Sequence, residues 1–299
     1  MNIIEVNGLT KTYGELTAVD HISFKVEQGS MLGFLGINGA GKSTAINMLS
    51  TLLRPDDGSA TVCGHRLGLE DDQIRRKIGI VYQQNVLDDL LSVRENLICR
   101  GILHGASRSQ AAAQLNRLCR ILKLEDILKK QYKTLSGGQK RRCEIAAALM
   151  HTPQVLFLDE PTTGLDPATR KDVWQIIEAL RREQNMTVFL TTHYMEEAAE
   201  ADQIIILDHG KIVASGSPFD LKEAYAKDKL RIFCTQMLSD LPQGSTPTPF
   251  GYEIPLDRTL DALAVLDAVR DRVDGFEVIQ GNMDDVFLNA VGKELEAYA

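Results

Sequence analysis

A chain of 299 residues is long enough for about two domains, and 44% hydrophobic with 25% charged residues and 9 prolines describe an ordinary globular protein. Disorder, collagen and coiled coil are excluded as its main architecture. The balance of 33 Lys+Arg against 41 Asp+Glu, net −8, speaks against a sequence-independent grip on nucleic acid.

The acidity gathers late: residues 1–228 carry 27 basic and 29 acidic groups, residues 229–299 carry 6 and 12. The first residues have neither a basic leader nor a long apolar run, so no secretory signal is expected. No apolar stretch approaches the roughly 18 residues of a spanning helix, and a cytosolic chain is expected. Five scattered cysteines without a C-x-x-C spacing predict free thiols in a reducing compartment.

In chain order, Ile3 to Val26 shows the alternation of antiparallel strands, clearest at Ile22, Phe24 and Val26. Apolar strands follow at Met31 to Leu35, Ile78 to Tyr82, Val155 to Leu158, Thr187 to Thr191 and Ile204 to Leu207. Strands apolar along both faces belong to a parallel sheet covered on both sides. Residues 84–150 read as mostly helical, a subdomain set into the sheet, with Ala111 to Leu124 and Ser136 to Met150 the clearest helices. Asp208-His209-Gly210 marks a hairpin, and the core domain is expected to end near residue 228. The tail, 229–299, predicts strands at Leu230 to Cys234 and Tyr252 to Leu256. Two helices follow there, one with Leu260, Leu263, Leu266, Val269 and Val273 on its apolar stripe, one with Met283, Val286, Phe287, Ala290 and Val291. Asn282 is the expected N-cap of the second.

The strand Met31 to Leu35 runs into Gly36-Ile37-Asn38-Gly39-Ala40-Gly41-Lys42-Ser43-Thr44 and then a helix, which fits G-x-x-x-x-G-K-[ST] in its strand, loop, helix setting. Such glycines let backbone N–H groups turn around phosphate oxygens at a helix N-terminus. Lys42 is then expected at the β/γ-phosphates and Ser43 at Mg²⁺. The strand Val155 to Leu158 ends in Asp159-Glu160, adjacent acids that point different ways and so hold different jobs: Asp159 for Mg²⁺, Glu160 to take a proton from attacking water. Leu135-Ser136-Gly137-Gly138-Gln139 opens a helix with a natural N-cap and bare N–H groups, a second anion-binding helix end. Lys140-Arg141-Arg142 reads as a solvated helix face.

This pentapeptide, with the two motifs before it, resembles the ATP-binding-cassette (ABC) ATPases, and the resemblance runs over positions 3 to 217. It implies an α/β P-loop core of mostly parallel sheet with N-terminal antiparallel strands and a helical subdomain, followed by a small α+β domain at 229–299. It implies that Tyr13 stacks on adenine, that Gln83 touches Mg²⁺ and signals to a membrane subunit, that Asp166 is the D-loop aspartate and that His193 stands near the γ-phosphate. Gln84 beside Gln83 offers the same side chain, and Tyr13 and His193 each have a plainly structural alternative as a strand-end aromatic and a packed histidine. The family closes head to tail, so that the P-loop of one cassette and Ser136, Gly137, Gly138 and Gln139 of another sandwich each ATP. The implied partners are a transmembrane permease on a separate chain, contacted near Asn85 to Leu97, and a second cassette, copy or homologue, at the cytoplasmic face of the membrane. One set of motifs with Lys42 and Asp159 in a single cassette favours a transporter subunit. The wording Thr51-Leu52-Leu53-Arg54-Pro55, Pro161 to Pro167 and Met283 to Leu288 is similar to drug-resistance and sodium-efflux exporter cassettes. A non-transport ABC switch, regulatory or nucleic-acid-associated, and an importer cassette stand as the alternatives.

Overall fold

The structure is a computed structural model that describes residues 1–238 and 240–292. The expected tail region 229–299 therefore ends in seven residues outside the described ones. The chain divides into two compact units, Met1–Val213 and Ala214–Ala299.

The first unit opens with β1 (Asn2–Tyr13) and β2 (Leu16–Glu27), an antiparallel hairpin whose inward side chains Ile4, Val6, Leu9, Val19, Ile22 and Val26 are buried. β3 (Met31–Leu35), buried at every position, leads through the glycine loop to α1 (Lys42–Leu49). β4 (Asp57–Val62) and β5 (His65–Arg66) complete an antiparallel sheet of order β2-β1-β4-β5. After α2 (Asp71–Lys77) and β6 (Ile78–Val81) come α3 (Val93–Leu103), α4 (Arg108–Leu122), two short 3-10 turns at Glu125–Ile127 and Tyr132–Thr134, and α5 (Gly137–Ala148). Serines at 92, 107 and 136 close capping boxes on these three helices, which fixes where each begins. β7 (Val155–Asp159), α6 (Pro167–Gln184), β8 (Thr187–Thr192), α7 (Met195–Ala198), β9 (Gln203–Asp208) and β10 (Lys211–Gly216) follow.

The large sheet has the order β10-β9-β3-β8-β7-β6, and the pairs from β9 through to β6 are parallel. His209 and Gly210, with φ of 45° and 79°, turn the chain between β9 and β10. The antiparallel sheet and the parallel sheet share one core. Phe189 packs on Phe34 and Phe157, each at 5.3 Å between ring centroids, and on Phe24 of β2 at 6.2 Å. Because crossover connections return the chain in the same direction, the carboxyl ends of β3, β6, β7 and β8 lie along one edge, where open α/β sheets bind ligands.

The second unit contains α8 (Pro218–Tyr225), β11 (Asp228–Phe233), β12 (Thr246–Thr248), β13 (Gly251–Leu256), α9 (Asp261–Val269), a 3-10 turn at Arg270–Arg272, β14 (Gly275–Ile279) and α10 (Met283–Val291). Its antiparallel sheet has the order β12-β13-β11-β14. The stripe expected on the first tail helix holds at Leu266, Val269 and Val273 and fails at its start. Leu260 and Leu263 are 71% and 62% exposed, while Ala262 and Val269 are buried, with Val265, Leu266 and Val273 beside them. Arg258 N–H donates to the Asp261 carboxylate at 3.0 Å, so the helix starts at Asp261 and leaves Leu260 outside its first turn. Asn282 does cap α10, in a reciprocal pair with Asp285.

Candidate nucleotide site

The loop after β3 is shaped by close approach. Gly41 has φ of 103°, and a Cβ there would come within 2.2 Å of the Ala18 carbonyl oxygen of β2. Only glycine lets the loop pass under β2 and start α1. Gly36 and Ala40 are buried in this turn while Asn38 and Gly39 are exposed, and Ala40 N–H donates to Ile37 O at 3.1 Å. Lys42, Ser43 and Thr44 form the first turn of α1. Lys42 folds back over the loop, and its Nζ donates to Gly36 O at 2.7 Å and Ile37 O at 3.1 Å. Burial depresses the Lys42 ammonium below the ordinary lysine range, and the charges of Glu160 and Asp159 oppose that shift.

β7 delivers Asp159 and Glu160 to the same edge. Asp159 Oδ1 accepts from Thr191 Oγ1 at 2.6 Å and from Ser43 Oγ at 3.2 Å. Glu160 has φ of 46°, a backbone region that β-strand ends and branched residues avoid. Its side chain gathers the rest. Oε2 accepts from Gln83 Nε2 at 3.2 Å and from Thr163 Oγ1 at 3.1 Å, while Lys42 Nζ lies 3.7 Å and His193 Nδ1 3.3 Å from Oε1. The His193 approach is an ion-pair distance without hydrogen-bond alignment. Thus Lys42, Ser43, Gln83, Asp159, Glu160 and His193, spread over 151 positions of sequence, form one cluster. Tyr13 stands outside it, 49% exposed at the end of β1, with Lys11 Nζ 5.7 Å from its ring centroid.

A second group lies on α5 and α6. Ser136 and Gln139 cap α5 reciprocally, and Gly137 and Gly138 leave the helix end bare. Asp166 caps α6, accepting from Thr169 N–H at 3.0 Å and from Thr169 Oγ1 at 2.6 Å. A Cβ on Gly138 would come within 2.4 Å of Thr169 Cγ2, so the two helix ends touch.

One expectation fails here. Lys140-Arg141-Arg142 is no solvated face: Arg141 is 6% exposed, Lys140 Nζ lies 5.0 Å from the Tyr132 ring centroid, and Arg142 donates to Lys123 O at 3.1 Å. Arg141 reaches the carbonyl oxygens of Tyr82, Asp159, Glu160 and Pro161. The apolar run Ile145 to Met150 marks the far half of α5 as buried, and nothing in the basic triplet itself singles out Arg141. Also unforeseen is Glu197, buried and accepting from both Thr162 Oγ1 and Thr192 Oγ1, which braces the loops after β7 and β8. The pair Glu196-Glu197 at a helix start gave no cue to it.

The parallel sheet, the glycine loop and the paired acids define a P-loop nucleotide-binding protein. Residues 19–163 match the family model described as ABC transporter. Over 305 residues the chain is 40% identical to the daunorubicin/doxorubicin resistance ATP-binding protein DrrA of Streptomyces peucetius, covering 97% of this chain and 92% of that protein. It is 35% identical to the Nod factor export ATP-binding protein I of Paraburkholderia xenovorans (strain LB400), over 98% of each. Among solved structures, the dimeric post-hydrolysis state of the ATP-binding cassette MJ0796 bound to ADP and Pi superposes with a TM-score of 0.64 at 31% identity, covering 72% of this chain and 98% of that one. cbiO1 from Clostridium perfringens, part of the ABC transporter complex cbiONQ, gives a TM-score of 0.69 at 26% identity, covering 74% and 90%. The chain belongs to the ABC transporter family, as an ATP-binding cassette ATPase of the kind coupled to transport.

Proposed function

We propose that the chain is the ATPase subunit of an exporter, and that it hydrolyses MgATP in a head-to-tail dimer to drive a separate membrane subunit from the cytoplasmic face. The observation that carries this reading is the convergence of Lys42, Gln83 and His193 on the Glu160 carboxylate beside the Ser43–Asp159 pair. Export is favoured over import by the relatives, whose names are those of resistance and export proteins. Among the described residues no helix is long and apolar enough to cross a membrane, which fits a pathway built by another chain.

Ser43 Oγ and Asp159 Oδ1, 3.2 Å apart with Gln83 near, are hard oxygen donors that fit Mg²⁺. Ser43, Asp159 and Gln83 would hold it, and the positive charge it supplies would offset the negative charge that develops on the phosphates. Lys42 would leave Gly36 O, Ile37 O and Glu160 for the β/γ-phosphates, for which the loop from Gly36 to Thr44 supplies backbone N–H groups. Glu160, released from Lys42, would orient water and accept its proton, and His193 would donate to the γ-phosphate. Tyr13 would stack its exposed ring on the base. From the second cassette, Ser136, the Gly137 and Gly138 amides and Gln139 would close on the same phosphate, with Asp166 fixing the neighbouring helix end. The segment Asn85 to Leu97, following Gln83, would meet the membrane subunit. The tail beyond 228 would steady or regulate the dimer.

Glu160→Gln keeps the shape of the carboxylate and cannot take the proton. We expect this variant to bind MgATP, to hydrolyse it slower by on the order of 10²- to 10⁴-fold, and to accumulate as a dimer in size-exclusion chromatography with MgATP. A monomer that turns over at the wild-type rate overturns the reading.

A further inference from the structure

Arg141 lies one turn into α5, directly behind the helix end formed by Ser136 and Gly137. Its guanidinium is buried and donates through three nitrogens to backbone on two other segments: Nε to Pro161 O, Nη1 to Tyr82 O at 2.5 Å, and Nη2 to Glu160 O at 3.1 Å and Asp159 O at 3.2 Å. Three of these carbonyls bracket Glu160, and the fourth belongs to the residue before Gln83. A planar fork of five donors can serve acceptors on several sides at once, whereas an ammonium is a single point. Burial pushes the Arg141 guanidinium down to about 10, while Glu144 and Asp159 favour its charge, so it stays a cation at neutral pH.

The backbone at Glu160 needs such a clamp. A glutamate at φ of 46° sits in a sparsely populated conformation that persists only where surrounding structure fixes it. Glu160 N–H is held by Thr191, through O and Oγ1, each at 3.1 Å. Arg141 holds the other side of the same residue. We propose that Arg141 is a positioning residue: from α5 it sets the Glu160 carboxylate and the start of the Gln83 segment, and so ties the end of α5 that serves one ATP to the base that cleaves the other. The inference rests on the reading of Glu160 as the base, and it adds a route between the two sites of the dimer.

The test is a double-mutant cycle on the full chain with Arg141→Lys and Glu160→Gln, read by single-turnover ATP hydrolysis, with ATP affinity and thermal unfolding measured in parallel. Arg141→Lys is expected to lower kcat by on the order of 100-fold, the scale of a misplaced catalytic group, with ATP affinity within about twofold of wild type. In the Glu160→Gln background the same substitution should change the residual rate by less than about threefold, because the group it positions has already lost its chemistry. Arg141→Gln, which is shorter and carries neither the charge nor the fork, should behave like Arg141→Lys. A merely structural arginine would lower both backgrounds by the same factor, and that result overturns the proposal. So does an Arg141→Lys kcat within about threefold of wild type, or loss of ATP affinity in both Arg141 variants, which would make it a folding residue. If instead Glu160→Gln alone turns over normally, the assignment of the base falls, and that is seen before Arg141 is touched.

Discussion

Gly138 is the position where two helix ends leave least room. Alanine in an α-helix is ordinarily better than glycine by roughly 0.5–1 kcal/mol, yet a Cβ here would press within 2.4 Å of Thr169 Cγ2. Thr169 cannot simply swing away, because its Oγ1 donates to Asp166 at 2.6 Å. Overpacking of this kind costs typically 1–3 kcal/mol, so the clash outweighs the propensity gain. Gly138→Ala is therefore expected to lower stability by about 1–2 kcal/mol. Thr169→Ser removes the offending methyl and keeps the hydroxyl, so adding it should erase the loss. Thermal or urea unfolding of the two single variants and the double variant checks this, and a double variant no more stable than Gly138→Ala rejects the packing argument. Gly41 of the phosphate loop and Gly138 of α5 thus owe their identity to neighbours far along the chain, which no spacing rule contains.

At the scale of elements, α3 and the end of α5 meet β6 through a pair of histidines. The rings of His104 and His151 stack at 3.8 Å, 3° from parallel, and His151 Nε2 donates to Ile78 O at 2.8 Å. Since the carbonyl can only accept, the proton sits on Nε2, and the buried Nδ1 has no hydrogen-bond partner. Burial first, and His104 second, push the His151 imidazole down to about 4 from 6.5. The sign follows. Between pH 6.5 and 4 the unfolded chain holds a proton that the folded chain refuses, so this site is neutral to stability above that window and subtracts from it as the pH falls. By pH 5 the loss is about 1–2 kcal/mol. Urea unfolding at pH 7.5 and pH 5 should show a smaller difference for His151→Gln than for wild type, and an equal difference removes the assignment. The elements themselves were largely legible. Strands with apolar residues at every position, as in Val155 to Leu158, and the serine cap at 136 carry their own instructions, whereas the helix expected from Ala111 begins three residues earlier behind Ser107. The site was legible where a motif fixes residue type and spacing together, as for Lys42, Ser43 and Asp159, which the structure brings to one place. It was not legible where burial converts a charge into an internal clamp: Arg141 sits among basic neighbours, and only the packing of α5 makes it the partner of four carbonyls.

At the scale of the whole molecule, the division falls after Val213, inside β10. Helix α8 therefore belongs with the tail, and its contacts within that unit agree: Asn289 Nδ2 of α10 donates to Tyr225 O at 2.6 Å, and a Cβ on Gly281 would come within 2.7 Å of the Ala226 side chain. Leu221 of α8 is 3% exposed. The tail has its own small core of Leu230, Ile232, Ile254 and Leu256 under α9. A unit of this size buries little apolar surface for its length. Two truncations separate its roles. A chain ending at Asp228 keeps α8 but strips it of α10, leaving Leu221 uncovered, and is expected to be less soluble and less stable than a chain ending at Ser217, which drops α8 as well. Both should retain wild-type ATP affinity, because every residue of the Glu160 cluster precedes Val213. If the tail steadies or regulates the dimer, the chain ending at Ser217 should also dimerise more weakly with MgATP in the Glu160→Gln background, or hydrolyse ATP at an altered rate. Sedimentation of the two truncated proteins, with ATPase assays of their Glu160 forms, decides the matter. A chain ending at Ser217 that dimerises and hydrolyses like the full chain makes the tail dispensable to both, and a chain ending at Asp228 that proves the more stable of the two breaks the pairing of α8 with α10.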